Sequence, residues 1–164
     1  MNRAPLFWIL GLLLAAVAPA GAVDDVSIER LATCRDSWVD WKMNDPAQLK
    51  KFFDHFQSDF SRSESDPFWN PKIAKSIVGL RIKQAFPESV GMGVGFSVTV
   101  DATFDEARRR LEKLLGKSLN KCETGDNMRS CGLEIADKRT VTLMAEDNPK
   151  STVTLIGCYY FYEK

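Results

Sequence analysis

The sequence predicts an α+β fold, an antiparallel sheet of about five to six strands with two N-terminal helices and one further helix packed on it. Three features of the chain lead to this class. In three segments apolar residues recur every three or four positions, as in helices that bury one face. In later segments they alternate with polar residues, as in half-buried strands. Short polar turns join most of these later segments, which favours antiparallel pairing.

Two helices are predicted before the first strand. Residues 26–42 show the helical period, with Asp24 and Asp25 near the helix start. A second helix begins at Asp45, a capping residue that is followed by proline in the first turn. Its apolar face consists of Leu49, Phe52, Phe53, Phe56 and Phe60. Residues 61–72 break the pattern with serines and two prolines and are predicted to form a loop.

The remaining elements are one helix and several strands. Thr103 and Glu106 form a capping box at the start of the helix, and Gly116 ends it. Strands are predicted at residues 76–86, 92–100, 118–122, 131–136, 139–146 and 152–162, and the last three are expected to form an antiparallel meander. The glycines of "GMGVG" lead into a strand instead of opening a helix, so they do not match a phosphate-binding loop. We expect them to let another layer of the fold approach closely.

The first 22 residues have the organisation of a cleavable secretory signal peptide. Arg3 is followed by an apolar run from Leu6 to Val17 and then by small residues. This run is shorter than the roughly 20 residues that span a bilayer, so no stable membrane anchor is expected. Residues 23–164 are predicted to form one periplasmic domain. Lipidation of Cys34 in "LATC" is the alternative, which the charged residues before it disfavour.

The charge of the chain argues against nucleic acid as a ligand. Subtracting the signal peptide and its single arginine leaves 142 of the 164 residues, with 21 basic against 22 acidic side chains. The longest basic run, Arg108 to Arg110, lies on the third predicted helix and is expected to face solvent. A nearly neutral domain of this kind lacks the electrostatic footprint of a nucleic-acid-binding protein.

Four cysteines predict two disulfides. Cys34, Cys122, Cys131 and Cys158 form an even set in a chain that is expected to enter an oxidising compartment. Four cysteines allow three pairings, and the sequence does not decide among them. We favour Cys122 with Cys131, because they are close along the chain. Cys34 with Cys158 would then tie the two ends of the domain together.

The segment "KCETGDNMRSC" is the first candidate binding site. Eight residues separate its cysteines, too many for a redox motif, and the alternating ligands of an EF-hand are absent. A disulfide across the base of this loop would preorganise its side chains for recognition. The alternative is a staple that only holds a long hairpin. The candidate recognition residues are Glu123, Asp126, Asn127, Met128 and Arg129.

Aromatic residues form two further candidate binding sites. Phe68 and Trp69 lie in the predicted loop, where they either anchor the loop to the core or form an exposed patch. Tyr160 and Tyr162 lie in the last strand. They belong either to the core or to a binding rim, where a ring with a polar end is well suited to recognition.

The sequence contains no recognisable catalytic set. His55, the single histidine, lies away from the apolar face of the second helix and is expected to face solvent. This disfavours a catalytic triad and a histidine-based zinc site. Paired carboxylates of the glycosidase type are not diagnostic among 22 acidic residues. We therefore predict a protein that is not an enzyme and that binds no cofactor or metal.

In organisation the chain resembles the small periplasmic immunity and inhibitor proteins of Gram-negative bacteria. The resemblance rests on the signal peptide, the two expected disulfides, the helix-backed sheet and the missing catalytic set. It implies a protein that neutralises an envelope-targeted toxin or hydrolase by occluding it. No diagnostic motif supports it, so no residue role is carried over. The alternatives are a small envelope enzyme acting on carbohydrate or lipid and an accessory factor of envelope assembly or secretion.

Overall fold

The computed structural model describes residues 25–87, 93–136 and 138–161. The residues of the predicted signal peptide and Tyr162 lie outside this part. The described helices are α1 (Asp25–Ala32), α2 (Trp38–Asn44), α3 (Pro46–Asp59) and α4 (Phe104–Leu115). The described strands are β1 (Phe60–Ser61), β2 (Asn70–Pro71), β3 (Ser76–Ile77), β4 (Leu80–Phe86), β5 (Gly93–Asp101), β6 (Lys121–Gly125), β7 (Met128–Ala136), β8 (Arg139–Glu146) and β9 (Val153–Phe161).

Seven of the described strands form one antiparallel sheet in the order β3-β4-β5-β9-β8-β7-β6, while β1 and β2 pair separately. The predicted α+β class and the large antiparallel sheet are confirmed. The numbers differ, because seven strands replace the expected five to six and four helices replace three. Strands β6 to β9 follow one another as a meander, and β9 also pairs with β5. The last strand of the chain therefore lies in the middle of the sheet.

The core lies between the helices and one face of the sheet. On β5, Phe96 and Val98 are fully buried, and they pair in register with Cys158 and Ile156 of β9. Aromatic rings of α2 and α3 cover this face, with Trp38 within 5.8 Å of Phe96 between ring centroids. The predicted apolar face of α3 is confirmed, since Phe52, Phe56 and Phe60 are buried and Leu49 and Phe53 pack against the core.

The helix predicted over residues 26–42 is interrupted, and this prediction was wrong. Cys34 has a φ of 57°, a left-handed conformation that ends the first helix. Ser37 then caps α2, because its Oγ accepts a hydrogen bond from the Asp40 N–H at 3.0 Å. The break turns Cys34 towards β9, where it is bonded to Cys158.

Three predicted boundaries are corrected. The alternation over residues 76–86 is a hairpin and not one strand, because Val78 and Gly79 have φ values of 46° and 72° and reverse the chain. The loop of residues 61–72 contains β2, and the strand expected at 118–122 occupies Lys121–Gly125.

The expected role of the glycines is also corrected. A Cβ atom on Gly95 would collide with the Cys158 carbonyl oxygen, so the neighbouring strand and not another layer approaches this glycine.

Other elements agree with the sequence predictions in detail. Asp45 caps α3 ahead of Pro46, Thr103 caps α4, and Gly116 ends α4 with a φ of 64°. Strand β8 has the predicted bounds. The two disulfides are Cys34–Cys158 and Cys122–Cys131, the pairs favoured from the sequence. None of the helices in the described ranges is long and apolar enough to cross a membrane.

Candidate functional site

The first candidate site is the stapled hairpin, defined as β6, β7 and the turn between them. Cys122 and Cys131 face each other across the two strands and are joined by a disulfide. At the turn, Asp126 and Asn127 have φ values of 48° and 60°. Two adjacent positive φ values are typical of type I′ hairpin turns, in which Asn and Asp are tolerated. The sequence thus closes the hairpin at both its base and its tip.

The tip of the stapled hairpin, residues 125–128, is open to solvent. Every residue from Lys121 to Met128 is exposed, including the candidate recognition residues Glu123, Asp126 and Asn127. Met128 retains 37% of its accessible surface, so its apolar side chain is available for contact. The tip therefore offers a carboxylate, an amide and an apolar side chain next to one another.

Arg129 holds the stapled hairpin against the rest of the domain. Its guanidinium lies 4.5 Å from the centre of the Phe104 ring, an arrangement typical of a cation–π contact. The same group lies 3.3 Å from a carboxylate oxygen of Asp105 and 3.8 Å from one of Asp147. The Asp147 N–H in turn donates a 2.7 Å hydrogen bond to the Asn127 carbonyl. Arg129 thus connects the stapled hairpin to α4 and to the end of β8. Its role in recognition stays a prediction.

Phe68 and Trp69 are half-buried and anchor their loop. The Phe68 ring meets Phe86 edge-on at 4.4 Å, and the Trp69 ring lies 5.3 Å from Phe56. The guanidinium of Arg62 lies 4.8 Å from the centre of the Trp69 ring. The Trp69 N–H also donates to the Ala85 carbonyl, which fixes the backbone. These contacts favour the anchoring interpretation over an exposed patch.

The second candidate site is the Tyr160 cleft, an open space of about 380 Å³ lined by Asp40, Lys138, Arg139 and Tyr160. Arg139 and Tyr160 are register partners on β8 and β9, and Asp40 lies in the first turn of α2. The lining is mainly polar. The sequence singled out Tyr160 alone, because the other lining residues come from distant parts of the chain.

The two candidate sites lie at opposite ends of the sheet. Arg139 begins β8 beside the Tyr160 cleft, and Glu146 ends it beside Met128. Seven steps of about 3.3 Å along a strand separate these ends by roughly 23 Å. The predicted recognition residues therefore do not form a single surface.

The face of the sheet opposite the core contains a buried tyrosine. A Cβ atom on Gly157 would lie 2.7 Å from the Tyr159 ring, so the ring covers this glycine. Burial raises the pKa of the Tyr159 phenol above its ordinary value. Tyr159 is therefore a neutral packing residue at physiological pH.

The described residues offer little for metal or histidine chemistry. Within the described ranges, no group of three or more His, Cys, Asp and Glu side chains is placed to hold a metal ion. His55 is half-buried on α3, less exposed than its position along the helix predicted.

Comparison with known proteins provides no relative from which a role could be transferred. No protein-family model, curated protein or solved structure matches the chain. The function proposed next therefore rests on the stapled hairpin and on the properties of the chain itself.

Proposed function

We propose that the protein is a periplasmic inhibitor or immunity protein that binds an envelope-targeted toxin or hydrolase and occludes it. In this proposal it is not an enzyme, and the stapled hairpin is its recognition element. The observation that carries the proposal is an exposed tip held rigid at three points. These points are the Cys122–Cys131 disulfide, the turn at Asp126–Asn127 and the contacts of Arg129.

Rigidity before binding favours affinity. Ordering a loop or a flexible side chain at an interface costs about 0.5–1.5 kcal/mol for each side chain. The tip has little backbone freedom left to lose, because the disulfide and the register of β6 and β7 already fix it. A protruding, preorganised hairpin of this kind suits insertion into the concave active site of an enzyme.

The chemistry of the tip defines what the partner must offer. The Asp126 carboxylate calls for an arginine or lysine, and the exposed Met128 calls for an apolar pocket. Methionine and aromatic residues are enriched in such interfaces. The exposed residues are therefore complementary to a basic cleft with an apolar floor.

The covalent structure supports an exported protein. Disulfides persist in oxidising compartments and are rare in the cytosol. Both disulfides, with the four cysteines of the chain all paired, fit an extracellular or periplasmic location. The periplasm in particular is proposed on the signal-peptide organisation of residues 1–22.

The test begins with capture of the partner. Tagged protein comprising residues 23–164 is incubated with a periplasmic extract, and retained proteins are identified by mass spectrometry. We expect one secreted hydrolase or toxin at near one-to-one stoichiometry, and its activity should fall in the complex. Retention of no protein at that stoichiometry contradicts the proposal.

Variants of the tip then test the recognition element. We expect Asp126→Lys and Met128→Ala each to raise the Kd of the complex at least tenfold, measured by calorimetry, a change of about 1.4 kcal/mol or more. Asp54→Lys on α3 is the matched control, because Asp54 is exposed and forms only a surface ion pair with Lys50. If the tip variants bind like this control, the stapled hairpin is not the recognition element.

The two alternatives have less support in the described structure. An envelope enzyme of the glycosidase type requires two facing carboxylates, whereas Asp40 is the one acid among the described residues of the Tyr160 cleft. An accessory assembly factor was predicted to use an exposed patch, whereas Phe68 and Trp69 are half-buried. Neither alternative is favoured by a specific observation.

A further inference from the structure

We propose that the protein pairs with a second copy of itself through β6, so that the sheets of two copies join edge to edge across a twofold axis. This inference goes beyond the inhibitor function and does not depend on it. It rests on three properties of β6. These are its position at an open edge of the sheet, the direction of its free backbone groups and the order of its charges.

Strand β6 forms an open edge of the seven-stranded sheet. Among the described strands it pairs with β7 alone, and all five of its residues are exposed. Many edge strands are protected by a proline or a β-bulge, whereas Lys121–Gly125 contains no proline and pairs with β7 without a register shift. Its short length and Lys121 do restrict pairing with unrelated strands. The edge is therefore open to a strand that places a carboxylate opposite this lysine.

The free backbone groups of β6 belong to Cys122 and Thr124. In an antiparallel pair, hydrogen-bonded residue pairs alternate with non-hydrogen-bonded pairs, whose Cα atoms are closer, at about 4.5 Å. The Cα atoms of Cys122 and Cys131 are 4.0 Å apart, which indicates a non-hydrogen-bonded pair. The two-residue turn gives the same alternation, because the flanking pair Gly125 and Met128 is the one that such a turn hydrogen-bonds. The N–H and C=O groups of Cys122 and Thr124 therefore point away from β7.

The charged side chains of β6 share the face of the sheet that is opposite the core. Side chains alternate between the two faces of a strand. Since Cys131 is buried in the core, its partner Cys122 lies on the core side, and Lys121 and Glu123 lie on the other side. Glu123 forms no ion pair with any residue of the described ranges, and Lys121 has only an exposed contact with Glu134, at 3.0 Å. Both charges are thus accessible to a neighbouring strand.

The order of these charges makes β6 complementary to itself. When Cys122 of each copy lies on the twofold axis, Lys121 of one copy is opposite Glu123 of the other, and the same pair repeats across the axis. Placing Lys121 or Glu123 on the axis would instead bring like charges directly opposite each other, which is destabilising. The Cys122 register also makes hydrogen-bonded pairs of the free backbone groups. Self-complementarity of this kind is what a twofold interface requires.

This pairing leaves the tip of the stapled hairpin accessible. The paired residues end at Thr124, whereas the tip begins at Gly125. The two strands run in opposite directions, and eight steps of about 3.4 Å separate Asp126 of one copy from Asp126 of the other by roughly 27 Å. The dimer would therefore present two tips at opposite ends of the paired strands.

Self-association is measured by sedimentation velocity of the protein comprising residues 23–164, at concentrations from about 1 µM to about 500 µM. We expect a reversible dimer whose fraction increases with concentration, because a contact between two short strands belongs with the small, weak interfaces. A protein that stays monomeric over this range overturns the proposal.

Reversal of the two charges tests the register. Lys121→Glu and Glu123→Lys each place like charges opposite each other, so we expect each to raise the Kd of the dimer at least tenfold. An equimolar mixture of the two variants should recover the dimer, because the two introduced residues then face each other, as do the two native ones. Lys113→Glu on α4 is the control, since it makes the same change of charge at another exposed position. Recovery also shows that both variants are folded. A mixture that stays monomeric, or a control that is equally impaired, refutes the register.

A backbone variant tests strand pairing separately from charge. In the proposed dimer the Thr124 N–H donates to the Asn120 carbonyl of the second copy, and Thr124→Pro removes this donor. Proline is tolerated in an edge strand where the N–H faces solvent. We expect Thr124→Pro to remain monomeric with an unchanged far-UV circular dichroism spectrum, and Thr124→Val, which keeps the N–H, to dimerise like the unmodified protein. Equal dimerisation of the two variants would show that the copies do not pair through β6.

Discussion

The buried phenol of Tyr159 is expected to make the folded protein less stable at alkaline pH. Burial raises the pKa of Tyr159 above its ordinary value, which is about 10. The folded protein therefore keeps the phenolic proton at a pH where the unfolded chain has already lost it. Folding stability from this group is complete below the unfolded pKa and decreases as the pH rises from about 10 towards the higher folded value.

The corresponding prediction compares tyrosine and phenylalanine at this position. We expect the free energy of unfolding of the unmodified protein to fall, relative to Tyr159→Phe, between about pH 9 and about pH 11. Urea denaturation at a series of pH values measures this difference. Tyr160→Phe, which removes the half-buried phenol of the neighbouring residue, is measured in parallel for comparison. If the free energies of unfolding of the protein and of Tyr159→Phe change with pH in parallel, the pKa of Tyr159 is the same in the folded and unfolded states.

Individual residues also explain where sequence patterns are insufficient. Cys34, Val78 and Lys138 have positive φ values, yet none of them is a residue type that predicts such a conformation. The break between α1 and α2 and the turn between β3 and β4 were missed for this reason. Asp126 and Asn127 have the same backbone property and were correctly placed in a turn, because their residue types do indicate it.

At the scale of elements, a buried ion pair joins the end of α3 to Lys75, the residue directly before β3. The Lys75 ammonium lies 2.9 Å from the Asp59 carboxylate, with 6% and 8% of the two side chains exposed. Asp59 is the last residue of α3, and the Lys75 carbonyl accepts a 2.8 Å hydrogen bond from the Ile82 N–H of β4. The pair therefore fixes the end of the helical layer to the edge of the sheet.

Removing one member of this pair should be costly. We expect Lys75→Met to lower the free energy of unfolding by about 3–5 kcal/mol, because it leaves the Asp59 carboxylate buried without its cation. Lys50→Met breaks the exposed Lys50–Asp54 pair, at 2.6 Å, and should cost less than about 1 kcal/mol. Urea denaturation of both variants measures the contrast. Similar losses for the two would mean that burial adds nothing to the Lys75–Asp59 interaction.

Elements with local signals were the most predictable. The bounds of α3, α4 and β8 agree closely with those predicted from the sequence. Capping residues and apolar alternation can be recognised from residues that are close together in the chain. The stapled hairpin was recognised from two cysteines and a polar turn. The Lys75–Asp59 pair carries no such signal, since burial of two charges depends on contacts between separate elements.

At the scale of the whole molecule, the two disulfides constrain very different lengths of chain. Cys34–Cys158 spans 124 positions and Cys122–Cys131 spans nine. A crosslink stabilises mainly by restricting the unfolded chain, and the restriction grows with the length of the closed loop. The long disulfide should therefore contribute more to the free energy of unfolding than the short one.

Replacing each disulfide by an alanine pair tests this division. We expect loss of Cys34–Cys158 to lower the free energy of unfolding by about 4–5 kcal/mol and loss of Cys122–Cys131 by about 2–3 kcal/mol. Urea denaturation gives the two values under the same buffer conditions. The opposite ranking would indicate that strain or residual structure outweighs loop length in this protein.

The Tyr160 cleft shows why a site assembled from the whole molecule escaped prediction. Asp40 belongs to an amino-terminal helix, whereas Arg139 and Tyr160 belong to the last two strands. No local period or motif connects them, and only the packing of α2 against the sheet brings them to one cleft. The aromatic strand end alone was visible in the sequence, and Tyr160 was accordingly the one residue of the cleft that was predicted.

The central position of β9 has a consequence for the order of events during synthesis. Among the described strands, β9 alone pairs with both β5 and β8, so without residues 153–161 no described strand pairing joins β3–β5 to β6–β8. Cys34 precedes its partner Cys158 by 124 positions in the chain. Cys122 and Cys131 lie between them and could form a non-native disulfide with Cys34 first. Completion of the sheet and formation of the Cys34–Cys158 disulfide therefore both depend on β9, so correct oxidation depends on when this strand becomes available as well as on geometry.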